Sequence, residues 1–99
     1  MQLVKIELDS KKYSTMFFTN QLIALTCSRK YSNAEIVIRV VSENGVSQSV
    51  DAKTYLGMIA ILSGKKADEL VFEVRGENEI YDANQFRIDV LKILEQSNQ

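Results

Sequence analysis

The stretch VDAKTYLGMIAILSG, residues 50 to 64, decides how the chain divides. A polar approach through Asp51, Lys53 and Thr54 gives way to Tyr55, Leu56, Met58, Ile59, Ile61 and Leu62, an apolar density too high for one stripe of a surface helix. The pattern predicts a short, half-buried helix with apolar surface left over. Thr54 is placed to cap it, because a hydroxyl ahead of the first turn accepts from an unpaired backbone N–H, and Gly64 is placed to stop it. The segment thus presents a hydroxyl at a helix N-terminus beside exposed hydrophobic surface, which suits contact with another protein.

Strand signals lie on both sides. Upstream, AEIVIRVV from Ala34 to Val41 is rich in β-branched residues, with Ile36, Ile38 and Val40 on one face. Asn44-Gly45 follows, a dipeptide favoured where both central turn residues need positive φ, so a tight hairpin returns through Val46, Gln48 and Val50. Downstream, after a charged turn at Lys65 to Asp68, Leu70, Phe72 and Val74 alternate with Val71, Glu73 and Arg75. At the start of the chain Val4, Ile6 and Leu8 alternate with Leu3, Lys5 and Glu7, the period of a strand with one face on a core. Asp9 to Thr15 is polar and reads as a loop.

Two further helices complete the order. Phe18, Leu22, Leu25, Ser28 and Tyr31 recur at helical spacing, with Thr15 or Thr19 as cap and Ser32-Asn33 as the end. From Glu79, the positions Ile80, Ala83, Phe86, Val90, Leu91 and Leu94 predict a final helix of about four turns, capped by Asn78. The sequence reads strand, helix, strand, strand, short helix, strand, helix. Residues 1–99 are one domain, an α+β two-layer sandwich with a four-stranded antiparallel sheet and three helices on one face.

Composition narrows the function. Ninety-nine residues bury roughly 60 to 70% of the unfolded surface without staples. A net charge of −1 gives no broad electrostatic footprint for nucleic acid. Cys27 is the only cysteine, so no internal disulfide forms, and the opening residues lack the pattern of a secretion signal. No apolar run approaches the ~20 residues needed to span a bilayer, so a cytoplasmic location is expected. The chain has no histidine. That removes Ser-His-Asp and Cys-His nucleophile pairs and imidazole metal sites, and leaves no side chain that titrates near neutrality without a large shift.

Several segments in register resemble HPr, the small phosphocarrier family of the bacterial sugar phosphotransferase system. Lys53-Thr54-Tyr55-Leu56-Gly57 followed by an apolar helix has the form of the family's regulatory Lys-Ser region. Gly64 to Leu70 and Gly76-Glu77-Asn78-Glu79 precede the last strand and last helix as they do there, and Ser28-Arg29-Lys30-Tyr31 is similar to the end of its first helix. The resemblance implies the open-faced βαββαβα sandwich. It also marks a departure: the family's His-Ala-Arg-Pro stretch, which carries the phosphoryl group, is matched here by Phe17, Phe18, Thr19 and Asn20. Neither phenylalanine accepts a phosphoryl group. The resemblance therefore implies a divergent member unable to carry phosphohistidine, with no catalytic residue and no cofactor.

The family's kinase-modified serine is matched by Thr54, a candidate phosphosite as well as a plain cap. In the family, the start of the first helix and the middle helix form the partner surface. That surface here carries Phe17, Phe18, Thr19, Tyr55, Leu56 and Ile59, and implies a protein partner: a phosphotransferase-system component, a kinase or a transcription regulator, with self-association also open. Two adjacent phenylalanines cannot both point inward from one turn, so one is expected at the surface, unless Phe17 folds down as a staple over its own helix. Cys27 reads as a packing residue, Lys11-Lys12 and Lys65-Lys66 as solvated loop charges. Asp9, Glu35, Asp51, Asp68 and Glu69 form no paired-carboxylate spacing, and no metal site is expected. The competing reading is an RNA-binding α+β domain. Such folds stack bases on sheet aromatics, and this sheet offers only Phe72, which alternation turns inward. An enzyme of another type would have to work through Asp, Glu, Lys or Tyr alone.

Overall fold

In β2 (Glu35–Val41), the β-branched run does what its alternation demands: Ile36, Ile38 and Val40 are buried while Glu35 and Arg39 are exposed. The computed structural model describes residues 1–8, 15–41, 47–62 and 69–97. β2 pairs antiparallel with β3 (Ser47–Asp51) on one side and with β4 (Glu69–Arg75) on the other. β1 (Gln2–Glu7) pairs antiparallel with β4, so the sheet order is β1-β4-β2-β3. Three helices complete the order: α1 (Thr15–Thr26), α2 (Tyr55–Leu62) and α3 (Glu79–Ser97). The result is an α+β fold with the order βαββαβα and one open four-stranded sheet.

Register rows explain the two faces. Val4, Phe72, Ile38 and Val50 lie side by side across the four strands, as do Ile6, Leu70, Val40 and Gln48. The first row is the centre of the core, with Val4, Phe72 and Ile38 buried. On the opposite face Lys5, Val71, Arg39 and Ser49 form one row, and Leu3, Glu73, Val37 and Asp51 another. Val71 is nevertheless buried. Its cross-strand partners are Lys5 and Arg39, and Arg39 is held in place by an ion pair to Glu73 at 3.0 Å.

The helical layer runs α2, α1, α3, with α1 touching both others, α2 lying on β3 and α3 lying on β1 and β4. α3 buries Ala83, Phe86, Val90, Ile93 and Ser97, a 3-4-3-4 spacing that keeps one stripe on the sheet. Phe86 meets Phe72 edge to face at 4.8 Å and Tyr31 at 5.3 Å, so one aromatic cluster joins helix, sheet and the turn after α1. Tyr31 donates its hydroxyl to Asp89 on α3 at 2.6 Å, and Lys30 pairs with the same carboxylate oxygen at 2.8 Å. Burial and the Asp89 carboxylate push the Tyr31 phenol well above its ordinary range. Burial alone would raise Asp89 as well, but the Lys30 and Tyr31 bonds outweigh it and hold the carboxyl below the usual carboxylate range. The amino terminus is fastened by an ion pair from Met1 to Glu79 at 2.8 Å, and Arg87 donates to the Lys5 carbonyl on β1 at 3.2 Å.

Three expectations need correction. The first helix does not continue to Tyr31: it ends at Thr26, and a single 3-10 turn covers Arg29–Tyr31. Ser28 breaks it, since it is extended and its Oγ donates to the Leu25 carbonyl at 2.6 Å; the single Thr26 hydroxyl proton goes to the Ala52 carbonyl at 2.6 Å, with the Ile23 carbonyl a longer contact at 3.1 Å. Thr19 is no cap, because it lies inside α1. Ile80 and Leu91 do not face the core: the stripe beginning at Ala83 selects Ile93 instead, and α3 runs 19 residues rather than four turns. Asn78 does stand at the helix entry, its carbonyl accepting from Asp82 N–H at 2.8 Å. The expected turn at Asn44-Gly45, the stop at Gly64, the charges at Lys11-Lys12 and Lys65-Lys66, and the carboxylates Asp9 and Asp68 lie outside the described residues.

Candidate docking surface

Neither α1, TMFFTNQLIALT, nor α2, YLGMIAIL, contains a charged residue. In a chain that is 25% charged, 12 and 8 residues together would ordinarily carry about five charges. Charge is instead gathered on the open sheet face and on α3. A helix can do without charge where it is buried, yet both helices keep a solvent side. Met16 is 76% exposed, Phe17 38%, Tyr55 58% and Leu56 76%. Asn20, Gln21, Ala24 and Ala60 make up more of the same uncharged surface.

The two helices are joined at one end. Thr26 Oγ1, besides its own helix, reaches the Ala52 carbonyl at 2.6 Å, and Cys27 Sγ reaches the Lys53 carbonyl at 3.6 Å. The C-terminal end of α1 is thus tied to the approach of α2. Phe17 stands nine residues before Thr26, about 13 Å away along the α1 axis. The exposed apolar side chains therefore fall at two places on these uncharged helices, Met16 and Phe17 in the first turn of α1 and Tyr55 and Leu56 at the start of α2.

The expected surface residues separate accordingly. Phe17, Tyr55 and Leu56 are exposed and Ile59 is half-buried. Phe18 and Thr19 are removed from that surface: at 1% and 4% exposure they point into the core, since a turn that shows Phe17 to solvent must turn its next two residues inward. Of the phenylalanine pair, Phe17 is the exposed ring and Phe18 the buried one. Met16 was not among the expected residues, and the missing charge across α1 is the signal that points to it. The buried Thr19 hydroxyl has no hydrogen-bond partner.

Thr54 is exposed and directly precedes α2, where its carbonyl accepts the Met58 N–H at 2.9 Å and its own N–H donates to the Asp51 carbonyl at 3.1 Å. The loop before it is fixed by the Asp51 carboxylate, which accepts from the Lys53 N–H at 2.9 Å, and by Lys53 Nζ, which donates to the Tyr31 carbonyl at 2.7 Å. Between α2 and the edge strand β3 runs an open groove of about 380 Å³, lined by Gln48, Ser49, Val50, Gly57, Ala60 and Ile61. Gly57 keeps it open, because a Cβ there would stand 3.4 Å from Val50 Cβ.

Other chemistry finds little support among the described residues. No group of His, Cys, Asp and Glu side chains could hold a metal ion, and no helix is long and apolar enough to cross a membrane. The open sheet face carries no aromatic ring, Phe72 being fully buried on the core side. Cys27 is exposed. In comparisons with known proteins, no protein-family model and no curated protein matches the chain.

Proposed function

We propose that this chain is a non-catalytic docking module of the HPr-like kind, which works by placing the uncharged band of α1 and α2 on a protein partner in the cytoplasm. The observation that carries the reading is the absence of charge from both helices while Met16, Phe17, Tyr55 and Leu56 stay exposed. Interface centres are depleted in charge and enriched in aromatic residues and methionine, and this band has that composition. The partner on this reading is a phosphotransferase-system component such as its first enzyme, a kinase such as HPr kinase, or a transcription regulator. With Phe17 and Phe18 where the resemblance expects the phosphoryl carrier, the module docks without taking part in the relay. Phosphorylation of Thr54 would add about −2 charge beside Tyr55 and Leu56 and so switch the band.

The test is titration of isotope-labelled chain with each of the three purified partners, followed by amide shifts. Binding should perturb Phe17, Tyr55 and Leu56 and be lost in Leu56→Glu. Perturbations elsewhere, or equal binding by the variant, would refute the surface. Incubation with the first enzyme and phosphoenolpyruvate should leave the mass unchanged. HPr kinase with ATP should modify wild type and not Thr54→Ala. The RNA-binding alternative predicts salt-dependent micromolar binding to single-stranded RNA, and the absence of an exposed sheet aromatic speaks for no such binding.

A further inference from the structure

α3 carries a second apolar stripe, on the side turned away from its core stripe. Ile80 is 65% exposed, Tyr81 64%, Ile88 45% and Leu91 49%, and Asn84 lies exposed among them. The spacing of Tyr81, Asn84, Ile88 and Leu91 is three, four, three, that of a helix seam made to meet another helix. Nothing in the fold of one copy requires it. The core needs only Ala83, Phe86, Val90, Ile93 and Ser97 from this helix.

We propose that this stripe is a homodimer interface, in which two copies of the chain lay α3 against α3 antiparallel across a twofold axis at Asn84. Three features select a second copy as the occupant. The first is self-complementarity: about an axis at Asn84, Ile80 of one copy meets Ile88 of the other, and the reverse contact follows by symmetry. Leu91 then falls beyond Ile80 of the partner and closes the apolar row at both ends. The second is charge, since an antiparallel pair brings the exposed turn that carries Glu77, just before α3, toward the exposed Lys92 of the other copy, and sets the opposed helix dipoles side by side. Asn84 supplies the third, because a primary amide on a twofold axis both donates to and accepts from its twin, and one amide in an apolar seam fixes register.

The size is adequate. Four half-exposed large side chains present on the order of 400 Å², the size of the largest apolar patch on a small monomer, a patch that is often functional. The rim residues Arg87, Lys92 and Glu95 extend the contact along a helix about 28 Å long. Its charged residues, Arg87 and Lys92 against Glu77 and Glu95, sum to zero and give an anionic lipid surface no net attraction as the alternative occupant. The face belongs to α3 and leaves the α1 and α2 band open, so it stands whether or not that band docks a partner.

Sedimentation equilibrium of the full chain between ~1 and ~500 μM tests it. Wild type should show a monomer–dimer equilibrium. Ile88→Glu should raise the dissociation constant at least ~30-fold, as for an interface hot spot, and Leu56→Glu on α2 should leave it unchanged. Glu77→Lys and Lys92→Glu should each weaken the dimer and together restore it. As a check on geometry that needs no apolar replacement, Asn84→Cys in a Cys27→Ser background should oxidise to a disulfide-linked dimer, while Asn20→Cys on α1 in that background should not. A monomer throughout the range, a dimer indifferent to Ile88→Glu, or failure of the Asn84→Cys variant to cross-link would overturn the proposal.

Discussion

Replacing Tyr31 by Phe should remove one hydrogen bond and nothing else, which makes it the sharpest test of how α3 is fastened to the turn after α1. The ring is 1% exposed and meets Phe86 edge to face at 5.3 Å, a contact that phenylalanine keeps. What is lost is the hydroxyl donated to the ionised Asp89 at 2.6 Å, a charge-assisted bond worth about 1.5–2 kcal/mol. Lys30 stays on Asp89 at 2.8 Å, but with 47% of its side chain exposed it offsets no more than about 0.5 kcal/mol. In a domain of this size the net loss lowers Tm by roughly 10 °C. The pH dependence follows from Asp89, which titrates below its unfolded value of about 3.9. A carboxyl depressed by folding contributes fully above about pH 4, and the contribution disappears as the pH falls through the lower folded value. The gap between wild type and Tyr31→Phe, read by urea denaturation with circular dichroism, should therefore be full at pH 7 and narrow toward pH 2. An Asp89→Asn and Tyr31→Phe double-mutant cycle should return a coupling of about 1–2 kcal/mol at pH 7. Equal stability of wild type and Tyr31→Phe at pH 7, or a gap unchanged at pH 2, would refute the assignment.

Thr19→Val should leave stability unchanged or raise it by up to about 1 kcal/mol in the same denaturation assay, because it replaces a buried hydroxyl without a partner by a methyl of similar volume. Gly76→Ala should destabilise by about 1–3 kcal/mol: its φ of 151° is one that side chains rarely adopt, and the added Cβ would stand 3.0 Å from the Asn33 carbonyl oxygen. Gly57→Ala should do the opposite, raising Tm by a few degrees through roughly 0.5–1 kcal/mol of helix propensity, since its Cβ meets Val50 and Thr54 at ordinary contact distance.

Period-two runs carried most of the fold in plain view. Val4-Ile6, Ile36-Ile38-Val40 and Leu70-Phe72-Val74 each had one reading, because a strand with one covered face has no other way to arrange such residues. Helical stripes were less legible. α3 offers two, Ile80 with Leu91 on one side and Ala83 with Ile93 on the other, and spacing alone does not say which one the sheet will take. The end of α1 is hidden for a different reason: its apolar period continues to Tyr31, while the break comes at Ser28, whose hydroxyl bonds back to the Leu25 carbonyl. At the candidate surface, a rule about adjacent phenylalanines found one exposed ring but could not say that Phe18 and Thr19 would be the pair turned inward. Met16 escaped notice because a methionine is at home in either place.

The sheet order has a consequence for how the molecule comes into being. β1 is synthesised before the other three strands of this sheet, yet its neighbour is β4, so Glu7 waits for Glu69 and Gln2 for Val74, roughly sixty to seventy residues later. The hairpin of β2 and β3 closes between Val41 and Ser47 and can form early, but it offers the N-terminal strand no partner. Closing so long a loop is costly before any contact rewards it, which sets folding in the slower range for a domain of this length. On the ribosome, the opening residues must remain uncommitted until β4 has emerged and slides between the ends of the chain's own first half.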